Sequence, residues 1–262
     1  MNLRISVITV TLNSERYLAE CLASVAAQGD SQHEHIIVDG GSSDATLEII
    51  RRHAGSDPRV RWISEPDRGI SDAMNKGVAM ATGDIVTHLN SDDYYPHPRV
   101  LATVQECFTR NTKESWMTAG FTFVSEEGAF IRDIRVRRYS YRRLVRNNIL
   151  LHPSTFIKRE LFNAVGGFDV SLYYCMDYEL FLRLGSVMPP LVLDEQLSCF
   201  RAHSGSRSVS HAEQAYIEEF RVRMDYLRSR GCSTAYYYLD YQIKRHLNKL
   251  FYKRLLSANK TD

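Results

Sequence analysis

Cysteine is sparse in this chain: five among 262 residues, at Cys21, Cys107, Cys175, Cys199 and Cys232, with no C-x-x-C pair. Scattered thiols of this kind offer no disulfide framework and read as reduced, mostly structural groups of a cytosolic protein. Long apolar runs are also missing. None approaches the roughly 18 residues of a membrane-spanning helix, and the start, Met1-Asn-Leu-Arg-Ile-Ser6, lacks the apolar core of a signal peptide. The expected localisation is therefore cytoplasmic. Charge of one sign is not in excess either: the formal net charge of +2 gives no ground for nucleic-acid binding. Two phosphate-binding signatures are absent. Gly40-Gly41 does not open a G-x-x-x-x-G-K-[ST] loop, and the first strand does not run into G-x-G-x-x-G, which disfavours a dinucleotide-binding Rossmann domain.

What is present is strand–helix alternation over the first hundred residues. Ile5–Thr11 is short and rich in β-branched residues, as a buried parallel strand should be. Asn13-Ser14 offers an N-cap for a helix with Tyr17, Leu18, Cys21, Leu22 and Val25 on one face. Glu34–Asp39 and Val60–Ser64 read as further strands, with a helix through Leu47, Ile49 and Ile50 between them. Ser71 or Asp72 is the expected cap of the next helix, and Gly83 stops it before a strand that delivers Asn90-Ser91-Asp92-Asp93. Such alternation implies a parallel sheet.

The acids at the end of that last strand are the strongest chemical signal. Adjacent carboxylates repel unless a cation or a hydrogen-bonding ligand lies between them, and ligands of open α/β sheets bind at that edge. A divalent cation carrying a nucleotide-sugar diphosphate meets both conditions; an Asx-rich turn with solvated acids accounts for the same residues without a ligand. Asp39, followed by Gly40-Gly41, ends the second strand and is placed either to accept from a base or ribose or to cap the next helix. The stretch Glu65–Gly77 gathers polar residues around a helix start, where N–H groups favour anions.

Taken in order, Ser6–Asn13, Ile37–Asp44, Glu65–Gly77, Leu89–Asp93, Gly166-Gly-Phe-Asp169 and Met176–Arg183 resemble the motifs of the family-2 inverting glycosyltransferases, over roughly residues 4–205. The resemblance implies an α/β fold of the GT-A type, a mostly parallel central sheet flanked by helices. It further implies a nucleotide-sugar-binding half at 1–100, an acceptor-binding half at 101–210 and a helical extension at 211–262. Donor contacts would come from Thr11, Asn13, Asp39, Asp67, Asn75, Asn90 and Ser91. The metal, Mg²⁺ or Mn²⁺, would be held by Asp92, Asp93 and His203. Asn90 stands where the family's D-x-D element has its first acid, so a charge is missing there, and the choice between Asp92 and Asp93 as main ligand stays open. Asp177, early in a helix, resembles the catalytic base that takes the acceptor hydroxyl's proton. The reaction implied is transfer from a nucleotide-diphosphate sugar to a saccharide or lipid-linked saccharide. A nucleotidyltransferase, or a nucleotide-sugar-binding regulator without catalysis, is the alternative.

Several features fall outside these roles. Arg132–Arg146 is basic and aromatic, either a solvated segment or a phosphate-binding acceptor surface, since guanidinium forks suit phosphate oxygens. His152 lies at a strand entrance, and Glu179 and Arg183 are spaced for an i,i+4 pair. Beyond Ser210 two helices are expected, Ala212–Arg230 and Thr234–Leu256. The second is basic around an apolar stripe, packed on the domain or lying on an anionic membrane.

Overall fold

A computed structural model describes residues 3–29, 31–136, 138–203, 205, 211–239 and 241–242. The expected strands of the first half form as read: β1 (Ile5–Thr11), β2 (His33–Asp39), β3 (Val60–Ser64) and β4 (Ile85–His88). They pair in parallel in the order β3-β2-β1-β4. β1, β2 and β4 are buried throughout, which is why their sequences lack the polar–apolar alternation of a half-exposed strand. The interleaved helices are α1 (Leu18–Ala26), α2 (Thr46–Ser56), α3 (Ile70–Met80) and α4 (Val100–Arg110).

The second half is mixed. β4 is followed in the sheet by β7 (Thr155–Lys158), antiparallel, and then by β5 (Trp116–Val124). β5 divides its pairing: Trp116–Thr118 lies against β7 and Phe121–Val124 against β6 (Phe130–Ile134), both antiparallel. β8 (Leu191–Arg201) runs parallel along β5, with register shifts around Gly120. A Cβ at Gly120 would stand 2.6 Å from the Ile134 carbonyl oxygen, so the close approach of strands there requires glycine. Short helices α5 (Tyr141–Arg146) and α6 (Arg159–Ala164), with a 3₁₀ turn at His152–Ser154 between them, are followed by α7 (Met176–Val187) and α8 (Ala212–Ser229), and residues 235–239 and 241–242 are also helical.

The sheet is covered on both faces. Cys21, Val25, Val104 and Phe108 from α1 and α4 pack with Ile5, Val7, Ile85 and Phe156 of the strands. Met74, Val78, Phe162 and Phe181 of α3, α6 and α7 pack with Ile8, Val10 and Val86. Burying each such side chain contributes about 1.5–3 kcal/mol.

Two capping expectations are corrected. α1 begins at Leu18 after Tyr17, and Asn13 and Ser14 do not cap it with their side chains; Asn13, at φ 51°, instead accepts from the Ser43 N–H at 2.9 Å. α3 begins at Ile70 behind Gly69 (φ 115°), so Ser71 and Asp72 lie inside its first turn. Glu179 does pair with Arg183, whose guanidinium also donates to the carbonyls of Val165 and Gly167 and so ties α7 to the Gly166-Gly167 loop. α8 ends at Ser229, close to the expected boundary. The expected Thr234–Leu256 helix lies outside the described residues from 243 onward. Among the described residues, no helix is long and apolar enough to cross a membrane.

Candidate active site

The strand ends of the first half converge because their loops are laced together. Ser14 N–H donates to Thr46 Oγ1 at 2.8 Å, Asn13 N–H to Ser42 Oγ at 2.8 Å, and Ser91 Oγ to Ser14 Oγ at 3.0 Å. Asp39 is fully buried and organises this lacing. Its Oδ2 accepts from Gly41 N, Ser42 N and Ser64 Oγ, and its Oδ1 from Ser42 Oγ at 2.5 Å. Asp67 then folds over Gly40, where an added Cβ would stand 2.5 Å from Asp67 Oδ2. The smallest side chain is needed at Gly40 for the Asp67 carboxylate to reach the strand edge.

These loops form one wall of a cleft of about 910 Å³. Of the residues expected to bind donor or metal, Thr11, Asn13, Asp67, Asn90, Ser91, Asp92 and His203 line it. Three do not. Asp39 sits beneath the loop it shapes. Asn75 is engaged on both faces of its amide with Phe168, donating to the carbonyl at 2.8 Å and accepting from the N–H at 3.0 Å; it clamps the Gly166-Gly-Phe-Asp169 loop to α3. Asp93 is 1% exposed, taking Asn90 Nδ2 on one oxygen and the Arg201 N–H on the other. Burial, reinforced by the neighbouring Asp92 charge, pushes the Asp93 carboxyl well above the usual carboxylate range. Between the two acids, Asp92 is the one facing the cleft.

Asp92 Oδ2 lies 2.8 Å from His203 Nε2, and the Tyr17 ring lies 4.9 Å from the imidazole of His203. Arg201, 3% exposed, holds this corner. It donates to the Asp92 carbonyl at 3.2 Å and to the Glu126 carbonyl at 2.8 Å, pairs with Glu20, and is flanked by the rings of Tyr17 and Tyr94 at 4.9 and 5.3 Å. One carboxylate and one imidazole suit Mn²⁺ better than Mg²⁺, the harder ion. Among the described residues no three His, Cys, Asp or Glu side chains cluster as a closed metal cage, so phosphate oxygens would have to complete the coordination, as such ions ordinarily require. Thr11 Oγ1 and Asn90 Oδ1, both on residues lining the same wall, find no partner among the described residues. Polar atoms left so are costly unless a ligand satisfies them.

Asp177 lines the same cleft, in the first turn of α7. Its Oδ1 accepts from the Tyr178 N–H at 2.7 Å, and Asn148 Nδ2 approaches Oδ2 at 3.4 Å. The segment that leads into α7 is held by Glu218 of α8, whose carboxylate accepts from the N–H groups of Tyr173, Tyr174 and Cys175 at 3.2, 2.6 and 2.8 Å. His152 borders the cleft beside Asp177, its ring 5.7 Å from that of buried His88. Burial lowers both imidazoles from their ordinary value, and their mutual repulsion lowers His88 further, so this part of the cleft carries neutral histidines at pH 7. The sequence alone marks neither Arg201, two residues before His203, nor Glu218 as a residue of the site.

The profile of "Glycosyl transferase family 2" matches residues 6–161, more than half of the chain. Two uncharacterized glycosyltransferases of Mycobacterium tuberculosis are 33% identical over 197 residues, 72% of this chain and 71% of theirs. A chondroitin synthase of Escherichia coli is 30% identical over 71% of this chain but only 27% of its own length. Among solved structures, S. aureus TarS with UDP-GlcNAc superposes with a TM-score of 0.69 at 21% identity, covering 90% of this chain and 69% of that one. A mannosyltransferase of Pyrobaculum calidifontis with GDP-Man and Mn²⁺ gives 0.63 at 20% identity, covering 84% and 65%. The fold is GT-A, and the chain belongs to glycosyl transferase family 2.

Proposed function

We propose that this chain transfers a sugar from a nucleoside-diphosphate donor to a hydroxyl of a saccharide or lipid-linked saccharide, with inversion at the anomeric carbon. The observation that carries the reading is that Asp177 and the Asp92–His203 pair line one continuous cleft. Two of the similar solved structures hold UDP-GlcNAc and GDP-Man, which supports a nucleotide sugar as donor here. The acceptor oxygen attacks the anomeric carbon while Asp177 takes its proton, and the bond from that carbon to the diphosphate breaks with its electron pair leaving on phosphate oxygen. One bond forms as one breaks on the opposite face, so no second nucleophilic carboxylate is needed. A divalent ion bound by Asp92 and His203 would neutralise charge on the leaving diphosphate. Asn13 and Asp67 are the proposed nucleoside contacts and Thr11 and Asn90 the proposed polar partners nearer the sugar, while Asp39, Asn75 and Asp93 act by holding the loops in place.

Polysaccharide assembly at a cytoplasmic membrane face is the proposed setting, consistent with relatives such as the chondroitin synthase. The test is donor hydrolysis and transfer over a panel of UDP-, GDP- and TDP-sugars with Mn²⁺, Mg²⁺ or chelator, the product's anomeric configuration being read by NMR. Release of nucleoside diphosphate with an inverted product supports the reading; a retained configuration overturns it. The neutral Asn90 favours one rival, a nucleotide-sugar-binding regulator, which would bind donors in the same panel and turn none over.

A further inference from the structure

The cleft has a third wall that neither the metal corner nor Asp177 explains. Phe121 and Phe123 stand two apart on β5 and so on one face of the sheet, and Phe200 of β8 is the registered partner of Phe123. Their ring centroids lie 5.4–6.1 Å apart. All three are half-buried and line the cleft. Aromatic side chains grouped on a sheet face normally pack beneath a helix; here the described residues leave the group facing the reaction cleft, and apolar clusters so placed mark binding surfaces. Arg132, the registered partner of Phe123 on β6, holds its guanidinium 5.7 Å from the Phe123 ring centroid. Arg132 is exposed and makes no ion pair with a carboxylate among the described residues, whereas nearby Arg135 is paired with Asp194 at 2.9 Å. A cation without a counter-charge beside an apolar floor is complementary to a ligand with an apolar ring face and an anionic group at its edge.

Resting on the transferase reading above, we infer that Phe121, Phe123, Phe200 and Arg132 form the acceptor subsite and that the acceptor is an anionic saccharide, its ring on the phenylalanines and its carboxylate or phosphate on Arg132. The proposal gives a role to the start of the basic Arg132–Arg146 stretch and distinguishes it from Arg135, whose charge is already answered.

The test uses the full chain with three probes: methyl β-glucuronide, glucose 1-phosphate and methyl β-glucoside, followed by saturation-transfer NMR without donor. UDP binding in Mn²⁺ is measured separately on the same samples. Wild type should bind the anionic probes more tightly than the neutral glucoside, with saturation passing from aromatic protein protons to one face of the sugar ring. Arg132→Ala should weaken the anionic probes by about three- to fivefold, the range of an exposed ion pair, and leave the glucoside unchanged. Phe123→Ala should weaken all three by about three- to tenfold. Both variants should bind UDP as wild type does. Which anionic probe loses more in Arg132→Ala tells a uronate acceptor from a sugar phosphate. Equal affinity of wild type for charged and neutral probes, no binding of any probe, or an Arg132→Ala loss that is the same for all three overturns the subsite. Failure of UDP to bind wild type would instead count against the donor reading and leave the probe comparison standing.

Discussion

On the proposed donor side of the cleft, neighbouring strand ends are stitched to one another through short side chains: Asn13 to Ser42 and Ser43, Ser14 to Thr46 and Ser91, and Asp39 to Ser42 and Ser64. On the proposed acceptor side, Asp177 stands on a helix whose approach is held by Glu218, 43 to 45 residues further along the chain. The first arrangement is built into consecutive strand–loop–helix units. The second exists only once α8 has docked. The donor wall should therefore resist single substitutions that the acceptor wall does not, and catalysis should be easier to damage from a distance than nucleotide binding.

The largest effect on this comparison is expected from Glu218→Ala. Three N–H groups before α7 lose their carboxylate, and hydrogen bonds to a charged group are worth about 1.5–3 kcal/mol. We expect about 2–3 kcal/mol lower stability by denaturant unfolding and a fall in kcat, with UDP affinity within about twofold of wild type. An equal loss of UDP affinity would show that the two walls are not independent.

A smaller effect is expected at the seam between the walls. Gly167 has φ 69°, and an added Cβ would stand 2.8 Å from Asn75 Oδ1, the atom that accepts from Phe168. Gly167→Ala should cost about 1–2 kcal/mol through left-handed backbone strain and loss of the Asn75 clamp, checked by the urea midpoint. Gly166→Ala, with open space around its Cβ and φ 92°, should cost only the backbone share; equal losses would remove Asn75 from the account.

A third effect, near-absent at neutral pH, concerns acidification. His35 in the donor half is buried, with Nε2 bonded to Thr9 Oγ1 at 2.9 Å, and burial with His53 and His33 nearby lowers it to about 3. His88 and His152 are lowered as well. For a histidine with depressed folded pKa, the unfolded chain binds more protons below about pH 6.5, so stability falls as pH drops from there toward the folded value. Tm should decline on acidification from pH 6.5 to 4, and His35→Gln should flatten that slope by up to about 1.4 kcal/mol per pH unit. An unchanged slope would mean His35 is not held neutral.

Most of the donor half was legible in the sequence because β-branched runs and helical periodicity agree there: β1 and β3 have the bounds read for them, and β2 differs by one residue. The caps were misread at Asn13 and Ser71 because the polar atoms that compete for these positions belong to distant loops, Ser42 and Leu172 among them. In the site, spacing drew attention to Asp92, His203 and Asp177, which line the cleft, but it could not separate cleft-facing groups from those consumed in scaffolding. Asp39, Asn75 and Asp93 carry the same residue types as those that line the cleft, and only their hydrogen-bond partners assign them to the framework. The mixed pairing of β5 and the reach of Glu218 depend on contacts with no local signature.

The proposed division of one cleft between holding the donor and activating the acceptor is tested most directly by parallel titration of Asp92→Ala and Asp177→Asn. Each variant is measured for UDP affinity with Mn²⁺ and with chelator, and for turnover of whichever nucleotide sugar the donor panel selects. Asp92→Ala should lose the Mn²⁺-dependent part of UDP binding. Asp177→Asn should bind UDP as wild type does while turnover falls about 10²–10⁴-fold, the loss typical of a missing general base. Wild-type turnover in Asp177→Asn, or UDP binding in wild type that is indifferent to chelator, would contradict the account.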